Sequence, residues 1–482
     1  MNQDIANAAK NPELLSAIQH ILAGCQELFG QERIYRRVLA LFMAEVVTLG
    51  RHTLTQLLRT LGQVAADWSA WYRLFSRGRV PEEQLSAHLL RETLDEIPEN
   101  KPYVTTVDGV IVSRSGQHVA GSSWWRGQNT ARFNRGLERG QRFVEIAWLT
   151  PEENSYCRSN PLRWLPAVTA KSVPSEAEPC KEWEAGVAAL KWARQELDRQ
   201  SRASQLLVGI GDGGYDVQDI WQQLPERTIL IVRAARNRKL YEMAKPQKGK
   251  RGPGRPPTYG QRMPTPAQYL QRRKRSDWQR LTLTIRGRER HLQYQVHGPC
   301  LLEGVKNCPL FLIVVRGKNY TIGKRHKHKR YRKPYFMLVN AVWRDGVWQL
   351  PFSVKQLLTW AWHRWECEVA HRDMKSALGL GEKQCWGPCS ALLSVQWNVW
   401  VYGVSTLAAY RVWGCRGGPR RTGRWYRHPR RWTFTNIRQS VRAELWGPQH
   451  FSPLYVPSLA NWLKIERWAT GLGNILADAG RI

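Results

Sequence analysis

Residues 101–113, KPYVTTVDGVIVS, decide the fold. Val104, Thr105, Thr106, Val107, Val110, Ile111 and Val112 crowd this stretch with β-branched side chains, which suit a pleated, half-buried surface, so it reads as a strand. Asp108 sits in its middle. An acid inside an apolar strand is costly to bury unless it is paired or bound to a metal.

After this stretch, RFVEIAWL, QLLVGIGD, TILIVRA and YFMLVNAVW read as further strands. KEWEAGVAALKWARQELDRQ lies between RFVEIAWL and QLLVGIGD and reads as a helix. Strands interleaved with helices indicate an α/β core. Before residue 101 the apolar residues recur at three and four, in LLSAIQHILAGCQELF and RRVLALFMAEVVTL. RHTLTQLLRTLG and DWSAWYRLFSRGR follow as short helices linked through Gly62, with Asp67 as the expected N-cap. Two short helices, the second basic, suggest a helix-turn-helix-like unit in which Arg73, Arg77 and Arg79 would reach phosphates. A plain helical bundle with a solvated basic face explains them equally well.

The pattern breaks between the TILIVRA and YFMLVNAVW strands. Residues 236–275 hold 13 Lys or Arg and one acid, Glu242. KGKRGPGRPPTYG carries too much Pro and Gly for a helix or a central strand. LTLTIRGRERHLQYQV then alternates like an antiparallel pair. The expected division is 1–100 helical and DNA-binding, 101–235 first part of the core, 236–335 β-rich basic insertion, 336–414 rest of the core, and 415–482 a basic C-terminal segment. SVKQLLTWAWHRWECEVAHRDMKSALGLG reads as one long helix stopped by glycines.

The chain of 482 residues carries 73 Lys and Arg against 39 Asp and Glu, a formal net charge of +34. That excess predicts a polyanionic partner, with nucleic acid ahead of a membrane surface. No positive segment followed by an apolar run opens the chain, so no signal peptide is expected, and the apolar stretch 391–413 is interrupted by Ser394, Gln396, Asn398 and Arg411 and reads as a core helix. A soluble, intracellular protein with no membrane contact is the expectation. Nine scattered cysteines make no disulfide framework, and Cys385 and Cys389 alone do not close a zinc site. The neighbours of His326 and His328 are cationic, which excludes these histidines as metal ligands.

Three acids stand out by position: Asp108, Asp212 at the end of QLLVGIGD, and Glu368 on the long helix. Each has an ordinary explanation as a turn residue or surface charge. Arg364, Glu368 and Lys375 lie at offsets of four and seven and share a helix face, joined by His371 and Arg372. One acid among several cations suits a metal ligand flanked by phosphate contacts, whereas Glu366 and Asp373 point elsewhere around the helix. The competing reading is a solvated Arg–Glu pair worth tenths of a kcal/mol.

The spacing Arg364-x3-Glu368-x6-Lys375 resembles the Tyr-Arg-Glu-Lys signature of DDE-type insertion-sequence transposases, the cut-and-paste branch similar to insertion-sequence family four. The acid in VDG, the G-D-x-x-Y of GDGGYD, the LGLG after the helix and RGPGRPPTYG are also similar to that group, over about residues 51–381. Ala361 stands where the signature has Tyr, between Trp360 and Trp362.

The resemblance implies a ribonuclease-H-like core with Asp108, Asp212 and Glu368 as catalytic ligands of two Mg2+ ions, for which Mn2+ would substitute. Arg364, Lys375, His371, Arg372, Arg73, Arg77, Lys250, Arg251 and Arg255 are the expected DNA contacts. It implies a homodimer on double-stranded DNA, at transposon ends and target, in a bacterial cytoplasm and nucleoid. An activated water would cut at the element end, and the freed 3′-hydroxyl would attack again, in this group often through a hairpin with a flipped base. Trp124, Trp125, Trp343 and Trp348 are the candidates for stacking on that base. The alternative is a transposase-derived DNA-binding protein that no longer cuts.

Overall fold

A computed structural model describes residues 13–126, 136–170, 178–244, 257–271, 277–322, 328–418 and 431–446 of the chain. Five helices come first: α1 (Glu13–Ala23), α2 (Glu32–Val47), α3 (Leu54–Thr60), α4 (Ser69–Ser76) and α5 (Glu82–Leu94). Thr53 caps α3 by accepting from the Gln56 N–H at 3.3 Å. Gly62, at φ +68°, turns the chain toward α4 in a left-handed conformation that favours glycine. The N-cap of α4 is Trp68 and not Asp67, whose carboxylate instead accepts from the Ser69 N–H at 2.8 Å and the Ser69 hydroxyl at 2.6 Å.

The strands and remaining helices follow as β1 (Tyr103–Ser113), β2 (Ser122–Arg126), β3 (Leu137–Leu149), β4 (Ser159–Pro166), α6 (Glu182–Arg199), β5 (Leu207–Gly211), α7 (Gln218–Gln222) and β6 (Thr228–Arg233). Then come β7 (Leu240–Met243), β8 (Tyr259–Arg262), α8 (Pro266–Gln271), β9 (Gln279–Ile285), β10 (Arg288–Leu302), β11 (Leu310–Val315), β12 (Lys318–Ile322) and β13 (His328–Arg332). The last elements are β14 (Tyr335–Asn340), β15 (Val342–Arg344), β16 (Val347–Gln349), α9 (Val354–His363), α10 (Trp365–Ala377), α11 (Pro388–Trp413) and α12 (Phe434–Trp446).

The fold is mixed α/β around one large mixed sheet of 12 strands, ordered β2-β3-β1-β5-β6-β14-β11-β10-β7-β8, with β4 on β3 and β9 on β10. This is compatible with a ribonuclease-H-like DDE core. β1 runs antiparallel to β3 and parallel to β5, which is parallel to β6. The parallel pairs bring the C-terminal end of β5 beside the middle of β1, which sets Asp212 near Asp108.

The basic stretch after β6 is not a body apart. β14 pairs directly with β6, and β11, β10, β7 and β8 carry the same sheet onward. The reason lies in β11, LFLIVV, whose six residues are all buried and need cover on both faces. Among the described residues only β12–β13 and β15–β16 form small sheets of their own. The long helix expected over residues 353–381 is two helices meeting at Arg364, and its end is marked by Gly379 and Gly381 at positive φ. α11 is buried nearly all round, as a core helix should be, and among the described residues no helix is long and apolar enough to cross a membrane.

α2 is tied to α11 through a buried charge. Glu45 accepts from Lys383 Nζ at 2.8 Å and Trp397 Nε1 at 2.9 Å, and pairs with His52 Nδ1 at 3.0 Å. Burial pushes this carboxyl up, but Lys383 and His52 outweigh it and hold it down at about 2.

Candidate active site

Asp108 and Gly109 are the half-buried break in an otherwise buried stretch of β1. Asp108 Oδ2 accepts from Arg364 Nη1 at 3.0 Å and from the Cys367 thiol at 3.3 Å. Directly across the antiparallel ladder stands Glu145 of β3. Two acids opposite each other repel unless one is neutralised. His371 does this, its Nε2 hydrogen-bonded to the wholly buried Glu145 while its ring meets Trp164 edge-on at 5.4 Å. Burial, the largest influence on His371, pulls its pKa down, but the charge and hydrogen bond of Glu145, with Asp108, leave it raised.

Asp212 ends β5 and caps a one-turn helix over Gly213–Tyr215 by accepting from the Gly214 N–H at 2.7 Å. Tyr215 is buried beneath this turn, and its ring fits only because Gly211 and Gly186 lack side chains. Glu368 extends from α10, with Oε1 3.1 Å from Arg364 Nη2. Burial raises its pKa, with Asp108 adding to the rise and Arg364 opposing it.

Asp108, Asp212 and Glu368 line one open cleft of about 930 Å³, together with Arg364, His371, Arg372 and Lys375. The other acids of α10 are elsewhere. Glu366 is buried between Arg286 and Arg431, the latter with Nη1 at 2.7 Å from Oε1. Asp373 pairs with Arg372 at 3.3 Å. The offsets along the helix therefore separate the three acids as the sequence suggests.

The expected DNA contacts divide. Lys375 and Arg372 are exposed at the cleft, and Arg73 and Arg77 are exposed on and after α4. Arg364 is occupied by two carboxylates, and His371 faces Glu145 instead of solvent because that buried carboxylate needs a cation. Lys250, Arg251 and Arg255 lie outside the described residues. Of the tryptophans, Trp124 and Trp343 are exposed, Trp343 meets Trp348 edge-on at 5.0 Å, and Trp125 donates to the Gly140 carbonyl at 3.0 Å. The nine cysteines are free. Glu145 and Cys367 were missed by sequence reasoning. Glu145 carried the same signal as Asp108, an acid inside the apolar strand RFVEIAWL. The thiol of Cys367 carried none.

The donor set suits a hard divalent ion such as Mg2+, which binds a few carboxylates and keeps several waters. Among the described residues no three acid, His or Cys side chains stand close enough to enclose an ion. The carboxylates instead face an open cleft, with the Arg364 cation between two of them. An open, water-accessible arrangement of oxygens fits Mg2+ better than a closed cage would.

Residues 27–293, more than half of the chain, match the DDE superfamily endonuclease family. That superfamily acts on DNA and generally uses divalent metals such as Mg2+. No curated protein matches the chain. The matched stretch holds Asp108 and Asp212 and ends before α9, while the fold carries Glu368 into their cleft. The chain belongs to the DDE superfamily endonucleases.

Proposed function

We propose that this protein is a DNA transposase that cleaves and joins strands at the ends of a mobile element, with Asp108, Asp212 and Glu368 as its metal ligands. The observation that carries this reading is the convergence of three acids, from β1, the end of β5 and α10, on one cleft rimmed by cations. Bound divalent metal would supply an activated attacking oxygen and stabilise the leaving one. Asp108 is held by Arg364 and Cys367, Asp212 by its own turn, and Glu368 by Arg364. Lys375 and Arg372, exposed beside these acids, hold the phosphodiester backbone. Glu145 and His371 act one layer below, fixing α10 against β3 so that Glu368 faces Asp108.

Arg73 and Arg77, exposed on and after α4, contact backbone phosphates, and a homodimer on DNA pairs two ends. The test is incubation with DNA carrying any inverted repeats found to flank the coding sequence, with Mg2+ or with chelator. Mg2+-dependent cleavage at the repeat end, lost in Asp108→Asn, Asp212→Asn and Glu368→Gln, is the expected result. Binding without cleavage by the unaltered protein would point to a transposase-derived DNA-binding protein instead.

A further inference from the structure

The helix that carries Glu368, α10, is held at both ends by the segment that closes the described chain. Near its start Glu366 accepts from Arg431, whose Nη1 lies 2.7 Å from Oε1. At its end the carbonyl of Ala377, the last residue of α10, accepts from Arg438 Nη1 at 2.6 Å. Arg431 stands three residues before α12, and Arg438 lies on it. α12 is in turn seated on the N-terminal helices. Phe434, Ile437, Val441 and Leu445 recur at spacings of three and four and are buried. Glu444 accepts from the N–H groups of Leu15 at 2.7 Å and Leu14 at 3.4 Å, at the start of α1.

Arg438 and Arg442, one turn apart on α12, carry their guanidinium groups to the end of α2. Arg438 Nε is 3.0 Å from the Val46 carbonyl, Arg442 Nε is 2.9 Å from that of Val47, and both side chains donate to the Thr48 carbonyl. The last carbonyls of a helix lack partners within it and form the negative end of its dipole, so cations suit them. Burial pulls the Arg438 pKa down to about 10, with Glu45 opposing, and the Arg442 pKa to about 9, with Arg438 adding to the fall. Both therefore stay charged near neutrality. They differ in one respect. Among the described residues Arg442 bonds to the α2 end alone, whereas Arg438 also holds α10. A helix fixed at one point can roll and slide, and one fixed at both ends cannot. Glu368 lies between the two anchors, and a misplacement of about 1 Å at a reacting group costs on the order of a hundredfold in rate.

We propose that Arg438 is a positioning residue: by tying the Ala377 carbonyl to the end of α2 it fixes the roll and height of α10, and with them the place of Glu368 in the carboxylate cleft. The consequence for cleavage rests on the nuclease reading above, and the consequence for α10 does not.

Hydrogen–deuterium exchange of the full chain, without DNA or metal, reads the tether directly. Arg438→Gln is expected to speed exchange in peptides covering α10 about tenfold and Arg442→Gln to change it less than about twofold, although both variants should melt below the unaltered protein. Equal changes in α10 for the two variants, or none for Arg438→Gln, overturn the proposal. Should Arg438→Gln fail to fold, Arg438→Lys decides by the same measure, because a single ammonium cannot bridge Ala377 and the α2 end as the guanidinium fork does. Single-turnover cleavage reads the consequence. Arg438→Gln should lower the rate about tenfold or more with DNA affinity within about twofold, and Arg442→Gln should leave the rate near that of the unaltered protein. Faster exchange in α10 with an unaltered cleavage rate overturns the positioning role. If the unaltered protein does not cleave, the nuclease reading fails, and the exchange data still decide whether Arg438 holds α10.

Discussion

Arg364 reaches from the junction of α9 and α10 to Asp108, with Nη1 3.0 Å from Oδ2, and its other terminal nitrogen lies 3.1 Å from Glu368. One guanidinium is therefore shared between two of the three acids of the cleft. A fixed cation beside carboxylates opposes the binding of a second cation to them.

Arg364→Met should accordingly raise the affinity of the DNA-free protein for Mn2+ by about three- to tenfold. Isothermal titration calorimetry reads this directly, with Asp108→Asn as the control that removes the site. An unchanged or weaker affinity in Arg364→Met would show that the arginine does not compete with metal. Cleavage should fall in the same variant, because Asp108 and Glu368 lose their shared anchor.

The two glutamates of α10 should fail in different ways. Glu368→Gln is expected to lower cleavage on the order of a thousandfold while melting near the unaltered protein. Glu366→Gln leaves the half-buried Arg286 and Arg431 without their carboxylate, and because water still reaches both guanidinium groups the loss should fall below the about 3–5 kcal/mol of a fully buried pair. Denaturant unfolding should show that loss for Glu366→Gln and little change for Glu368→Gln. The reverse assignment of stability and activity would sink the distinction.

The His371–Glu145 pair should make stability depend on pH. The folded imidazole holds its proton above its ordinary 6.5, so the folded state binds more protons than the unfolded chain in that window. The contribution is then full below about pH 6.5 and is lost as pH rises through the folded value. His371→Gln should flatten this decline in a series of unfolding curves. A decline that persists in the variant would place its origin elsewhere.

Gly186→Ala is expected to destabilise the protein. A methyl group there would lie 2.6 Å from a ring carbon of Tyr215, which is buried under the Asp212 turn and has nowhere to go. Alanine improves helix propensity by up to about 1 kcal/mol, and overpacking costs about 1–3 kcal/mol, so the net effect is a loss. Thermal melting should fall by several degrees, and cleavage should fall with it as the Asp212 turn shifts. A melting point at or above that of the unaltered protein would refute the packing argument.

Much of the architecture was legible in local pattern. The β-branched run over 101–113 became β1 (Tyr103–Ser113), and KEWEAGVAALKWARQELDRQ became α6 (Glu182–Arg199). Helical offsets alone separated Glu368 from Glu366 and Asp373, because position around a helix follows from spacing. Strand partners were not legible. The insertion expected between β6 and β14 contributes β11, β10, β7 and β8 to the same sheet. Pairing depends on contacts far apart in the chain, which no local period records.

By itself, then, the sequence determined the charge that calls for a polyanion, the central strands of the core with the helix between them, and three acids placed where burial would be costly. Only the tertiary structure decided that those acids share a cleft and that Arg364 serves them before it serves DNA. It also decided that His371 answers to Glu145. The physical reason is the same in each case. A carboxylate buried in the folded chain must find a cation, and the cation it finds is set by which strands and helices meet.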